Sequence, residues 1–254
     1  MTFDSSSTLP ADHAPRLCKT RYGVVATARG NGLIARSLHS YGEWMEQELD
    51  LLSGLLQETH SVLEFGGELG AHALWLARTV GSAGQVHVAE PRRLELQQLC
   101  ANVALNDLLN VHTHPLWLGR ESRTSELGKL MPVDGAIAQE RVRCSTVDDL
   151  GLDALHLVKV NLPGTLVPLL QGATETLRRY RPLFYVRLGS GEDAVAEVQA
   201  LKDAGYRCWS HLPYLFSKDN FNGDEKNQFP GRVNQNLIAA PIESRLELDR
   251  LREI

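Results

Sequence analysis

Ser61-Val-Leu-Glu-Phe-Gly66-Gly-Glu-Leu-Gly70 is followed by a second short apolar run that ends in an acid, Val86-His-Val-Ala-Glu90. The run 62–65 reads as a buried strand and 71–80 as a helix. Gly66, Gly67 and Gly70 lie between them, where the chain must turn sharply. Lacking Cβ atoms, such glycines let backbone N–H groups approach a ligand closely, and the helix N-terminus behind them favours anionic groups. The carboxylate of Glu90, closing the second strand, can accept two hydrogen bonds from a vicinal diol such as that of a ribose. Strand, glycine turn, helix, strand and acid together make a nucleoside-binding half-domain.

The glycine spacing bears on which nucleoside. A dinucleotide fold requires G-x-G-x-x-G, whereas these glycines fall at 66, 67 and 70. A nicotinamide-dependent oxidoreductase is therefore disfavoured. The pattern of Glu64, Gly66 and Gly70, with Pro91 after Glu90, suits S-adenosylmethionine (SAM), which carries no phosphate to cradle. The competing reading is a tight turn with a solvated glutamate. The SAM reading requires Glu90 to face the cleft and the crevice above residues 66–70 to be open.

The chain has 254 residues, 43% of them hydrophobic, enough for one large core. A net charge of -5 with dispersed basic residues argues against a nucleic-acid partner. No apolar stretch reaches membrane-spanning length, and the first residues lack the apolar region of a signal peptide. Cys18, Cys100, Cys144 and Cys208 form no C-x-x-C pair, which points to a reduced, cytoplasmic protein without a zinc site.

The organisation expected is a flexible arm (1–20), a hairpin and helix cap (21–60), a main domain (61–242) and a terminal helix (243–254). Within the cap, 21–36 reads as a hairpin or extended segment around Gly23, Gly30 and Gly32, and 41–56 as one amphipathic helix. In the main domain, strands at 85–89, 111–116, 154–160 and 183–188 alternate with helices at 94–106, 165–179 and 192–204. The piece 119–143 reads as irregular with a short extended run near 135–138. Closing strands are expected at 206–211 and 235–240. Such alternation implies an α/β fold with a mostly parallel sheet covered on both faces. Its ligand lies at the carboxyl ends of the strands.

The order of segments resembles the FkbM-type SAM-dependent methyltransferases over nearly all of residues 20–241. The resemblance rests on Tyr41-Gly-Glu-Trp44, the Glu64–Gly70 turn, Val88-Ala-Glu90-Pro91, Asn102-Val-Ala-Leu-Asn106, Thr146-Val-Asp-Asp-Leu150, Lys159-Val-Asn161, His211-Leu-Pro-Tyr-Leu-Phe, Asn220-Phe-Asn-Gly223 and Val233-Asn-Gln-Asn236. It implies a Rossmann-like class I methyltransferase with a seven-stranded sheet, the last strand antiparallel. It also implies O-methylation of a sugar, polyketide or similar small molecule. The chain departs from the family on one rim. The asparagine of D-V-G-A-N-x-G is Glu68, K-x-D-x-E-G becomes Lys159-Val-Asn161-Leu-Pro163-Gly164, and the acid of Y-V-E-N becomes Arg187.

On this reading Glu64, Gly66, Gly67, Glu68, Gly70, Glu90, Pro91 and Trp117 hold the cofactor, Trp117 by stacking on adenine. Lys159, Asn161 and His211 are the catalytic candidates. Asn161 can only exchange hydrogen bonds, Lys159 acts as a base only if neutral, and His211 competes with a purely structural role. Tyr41, Glu43, Trp44, Arg187 and Asn220 border the acceptor, with Arg187 as anchor for an anionic group. His112 and His114 lie at strand spacing and share a face, but no acid completes a metal set. The missing acids also motivate a second reading, a catalytically degenerate scaffold. Possible assemblies are a homodimer or a complex with another enzyme.

Overall fold

A computed structural model describes residues 16–27, 32–133 and 135–254. Residues 1–15 of the expected arm, and Gly30, lie outside the described residues. The chain enters through an antiparallel hairpin, Arg16–Thr20 (β1) and Gly23–Thr27 (β2), so the cap begins at Arg16 rather than at residue 21. Instead of one helix over 41–56 there are two, Leu33–Tyr41 (α1) and Glu46–Ser53 (α2). Gly42 and Met45 between them take left-handed φ values of 65° and 50°. A Cβ at Gly42 would lie 2.6 Å from the Phe221 ring, so the break lets a distant loop pack against the helix end.

The main sheet is built from Ser61–Phe65 (β3), Gln85–Ala89 (β4), Val111–His114 (β5), Leu157–Val160 (β9), Leu183–Arg187 (β10), Tyr206–His211 (β11), Asn236–Pro241 (β12) and Arg252–Glu253 (β13). Its order is β13-β11-β12-β10-β9-β3-β4-β5. The steps from β5 through β4, β3 and β9 to β10 are parallel, and β12 runs antiparallel to both β10 and β11. Every residue of β3, β9 and β12 is buried, as strands covered on both faces require. The predicted seven strands are all present. The expected terminal helix is not: Leu246, Leu248 and Leu251 pack on the core and β13 adds an eighth strand beside β11.

The connecting helices are Ala71–Thr79 (α3), Arg93–Leu105 (α4), Leu166–Gln171 (α5), Thr174–Tyr180 (α6) and Glu192–Asp203 (α7). One helix expected over 165–179 is split at Gly172, where a Cβ would strike the Gly119 carbonyl at 2.0 Å. The supposedly irregular insert holds a second sheet of Leu116–Leu118 (β6), Arg123–Glu126 (β7) and Arg141–Ser145 (β8). Its expected extended run is a 3-10 turn over Gly135–Gln139.

The hairpin is fastened to α4 by two asparagines. Asn102 accepts from Ala26 N at 2.7 Å and donates to Ala26 O and Leu69 O. Asn106 accepts from Val24 N at 3.1 Å and donates to Val24 O at 2.7 Å.

Candidate functional site

The carboxyl ends of β3, β4, β9 and β10 and the amino end of the antiparallel β12 meet the link between α1 and α2, and most of the predicted rim residues converge there. Lys159, wholly buried in β9, donates to Glu48 Oε2 at 3.0 Å and to Asn161 Oδ1. Asn161 donates to Glu64 Oε1 at 2.8 Å and to the Gly66 carbonyl at 2.9 Å. On the other side, Glu48 Oε1 accepts from Asn236 Nδ2 at 2.8 Å. That amide also donates to the Tyr185 hydroxyl at 2.9 Å, which shares a hydrogen bond with His211 Nδ1 at 2.7 Å. One continuous polar network therefore joins Lys159, Asn161 and His211, the three catalytic candidates. It runs through Glu48, Tyr185 and Asn236, which sequence reasoning missed.

Burial sets the electrostatics. It alone would push the Glu48 carboxyl up, but Lys159 and then Arg187 outweigh it and hold the group at about 2. Glu64 has weaker compensation, and burial raises it to about 7 against the pull of Lys159 and Asn161. Glu68 is likewise raised by burial, opposed by Arg187 and Arg92. His72 is driven down to about 3 by burial and then by Lys159, so its ring is neutral and donates from Nε2 to Trp44 O at 2.9 Å.

Glu90 is fully buried at the end of β4 and does face the turn: its Oε2 accepts from Glu68 N at 2.9 Å. Arg92 takes the rest of the carboxylate. Its backbone N and Nε bond Oε1 at 2.9 and 2.8 Å, and Nη2 bonds Oε2 at 2.8 Å. The crevice beside the turn is nearly filled. Trp44, Glu64, Glu68, Ala71, His72 and Asn161 enclose about 10 Å³, the room of one water at most. The glycines serve the interior first. Cβ atoms at Gly66, Gly67 and Gly70 would meet Leu162 at 2.8 Å, Val88 at 2.3 Å and Leu99 at 2.7 Å. Close packing of the strand and helix, rather than approach of a ligand, is what requires them.

Several predicted roles change. Tyr41, Glu43 and Asn220 are taken up by contacts within the protein. The Tyr41 hydroxyl is bonded by Gln228 N and donates to Lys226 O. Glu43 holds Arg21 and Phe221 N, and Asn220 bonds Ser217 O and Asp224. Tyr41 and Glu43 pin the loop 212–235 to the end of α1, and Asn220 braces a turn within that loop. Trp117 packs edge-on against Phe65, in the core, and its other side lines a separate cavity of about 420 Å³ between the small sheet and α5. His112 and His114 share their face with His87, whose Nδ1 lies 3.2 Å from His114 Nε2. No group of three metal-ligating side chains is assembled among the described residues. None of the described helices is long and apolar enough to cross a membrane.

Several buried polar side-chain atoms at this rim lack a hydrogen-bond partner: Trp44 Nε1, Glu64 Oε2, Arg187 Nε and Nη2, Asn234 Nδ2 and Asn236 Oδ1. Such atoms are uncommon in folded proteins, and their gathering in one place is not explained by packing.

No family pattern matches the sequence, and no curated protein sequence matches it. Solved structures do match in fold. Methyltransferase FkbM from Methylobacillus flagellatus KT is 17% identical, with a TM-score of 0.50 over 74% of this chain and 45% of that one. Precorrin-6y C5,15-methyltransferase from Geobacter metallireducens GS-15 is 14% identical, with a TM-score of 0.50 over 77% of this chain and 88% of that one. The chain thus spans less than half the length of the Methylobacillus protein. At these identities the likeness is one of architecture: the chain has the Rossmann-like methyltransferase fold.

Proposed function

We propose that this chain is a SAM-dependent methyltransferase of the cytoplasm, directed to a hydroxyl of a small metabolite, natural product or glycan. The observation that carries the reading is the set of unpartnered buried polar atoms around the first-strand turn, on Trp44, Glu64 and Arg187. They sit where this architecture places ligands, outside the carboxyl ends of the strands. The side chains have the chemistry for the cofactor, but the crevice of about 10 Å³ is too small to admit it as it stands and must open first. Glu64 Oε2 can accept from an α-ammonium group. Glu90 already takes one backbone N–H and can take a ribose diol once the Arg92 guanidinium swings away. Bound SAM supplies an electrophilic methyl group on a sulfonium.

The chain's own residues then position and desolvate the reactants. Lys159 and Asn161 fix Glu64 through two hydrogen bonds in series. His211, lowered by burial, is neutral at pH 7, and its Nδ1 becomes free to accept a proton when the Tyr185 hydroxyl turns aside. Calorimetry with SAM and S-adenosylhomocysteine tests the reading, followed by a screen of hydroxyl acceptors for methyl transfer. A second reading is favoured by the 10 Å³ crevice and by the four hydrogen bonds that occupy Glu90. In that case the fold is a catalytically degenerate scaffold for another enzyme. Absence of binding at millimolar SAM supports the scaffold; binding with transfer supports the enzyme.

A further inference from the structure

An arginine grips a carboxylate best with the edge formed by Nε and Nη2, two parallel donors matched to two oxygens or one. Five arginines of this chain use that edge in this way. Arg21 applies it to Glu43, Arg92 to Glu90, Arg178 to Glu175, Arg181 to Glu243 and Arg207 to Glu253. Arg187 keeps the same edge enclosed but empty. Its Nε and Nη2 are both buried and both without a partner. The neighbouring acids do not fill the edge: Glu48 Oε1 is 3.9 Å from Nη2, and Glu68 Oε1 is 3.7 Å from the opposite nitrogen, Nη1. Both are charge partners beyond hydrogen-bonding distance.

Two more donors stand nearby without partners. The Arg187 guanidinium lies 6.0 Å from the centre of the Trp44 ring, whose Nε1 is unbonded. Asn234, with a free Nδ2, lies two residues before Asn236, the register partner of Arg187 across β10 and β12. A buried, empty guanidinium edge beside an indole whose N–H is also free asks for a planar anion. We infer that the Nε–Nη2 edge of Arg187 is the seat of a ligand carboxylate. That carboxylate belongs either to the amino-acid end of the cofactor or to the acceptor, and the first alternative rests on the methyltransferase reading.

The test compares wild type, Arg187→Lys and Arg187→Met. S-adenosylhomocysteine and 5′-methylthioadenosine, a thioether of the same nucleoside without the amino-acid tail, are titrated by calorimetry, and ¹³C-formate by NMR. A cofactor carboxylate predicts that both variants bind S-adenosylhomocysteine more weakly, by roughly tenfold to a hundredfold, with 5′-methylthioadenosine unchanged. An acceptor carboxylate predicts that both nucleosides bind alike in all three proteins. Formate then binds saturably to wild type and not to either variant. Equal binding of all probes to wild type and Arg187→Met overturns the inference, and so does an Arg187→Lys protein indistinguishable from wild type. If wild type binds neither nucleoside, the SAM reading falls while formate still decides the role of Arg187: saturable binding lost in Arg187→Lys supports it, and no binding overturns it. If Arg187→Met fails to fold, the lysine variant gives the decision.

Discussion

Replacing Lys159 by Met should unsettle the whole molecule. The ammonium and its partner Glu48 are 3.0 Å apart and essentially without solvent contact. Met keeps the apolar stem but strands the carboxylate, leaving it Asn236 and a distant Arg187. The native environment holds Glu48 at about 2 instead of 4.5, which corresponds to roughly 3 kcal/mol at about 1.4 kcal/mol per pH unit. Removing one member of a buried ion pair costs about 3–5 kcal/mol, so the two routes agree. For a chain of this size the melting point falls by roughly 6–20 °C. Urea unfolding at pH 7, followed by circular dichroism, reads the loss. The double variant Lys159→Met/Glu48→Leu, with both charges gone, should recover most of it. The pH dependence carries the same sign. A carboxyl depressed in the folded state stabilises above its ordinary range, and that contribution is lost as pH falls from about 4.5 toward 2. In Lys159→Met this acid limb should move to higher pH. A single variant within about 1 kcal/mol of wild type, or a double variant no better than the single, would refute the reasoning.

Three other outcomes follow from the geometry. Glu64, raised to about 7, binds a proton more tightly folded than unfolded, so wild-type stability should decline as pH rises from about 4.5 to 7. Glu64→Gln, which keeps the bond from Asn161, should flatten that slope in denaturant titrations and be the more stable protein at pH 8. Arg92→Ala should lower the melting point by leaving Glu90 buried with only two backbone donors, yet bind 5′-methylthioadenosine roughly tenfold more tightly by freeing the diol site; weaker binding would show that Arg92 belongs to the ligand rather than the latch. Gly67→Ala, with a Cβ 2.3 Å from Val88, should cost about 1–3 kcal/mol in urea unfolding, whereas Gly32→Ala, with nothing within 4 Å, should be nearly neutral.

The strands of the main sheet and most of the helices between them are legible because their apolar runs and helical periods stand clear of one another. The errors fall where tertiary packing overrides local pattern. Trp44, Leu49, Leu52 and Leu56 are all buried as the amphipathic reading required, but the loop over Gly42 breaks the helix carrying them. The terminal Leu246 and Leu248 alternate at strand spacing, as do Val142 and Cys144 in the insert. In the insert the alternation is a strand signal for β8 that the reading as irregular chain passed over, whereas Leu246 and Leu248 pack on the core outside any strand. At the site, the charged residues stood out singly, while their partners did not. Glu48 pairs with Lys159 across 111 positions, and its only local sign is a charge on the same face of α2 as Leu52. Nothing in the sequence shows that the Arg92 guanidinium turns back on the acid two places before it.

The asparagines of α4 have a mechanical consequence. Asn102 and Asn106 offer β2 the donors and acceptors that another strand would, and Asn102 reaches the glycine turn as well through Leu69 O. Hairpin, helix and turn are thereby riveted into one wall. A displacement of any one of the three is therefore passed directly to the other two.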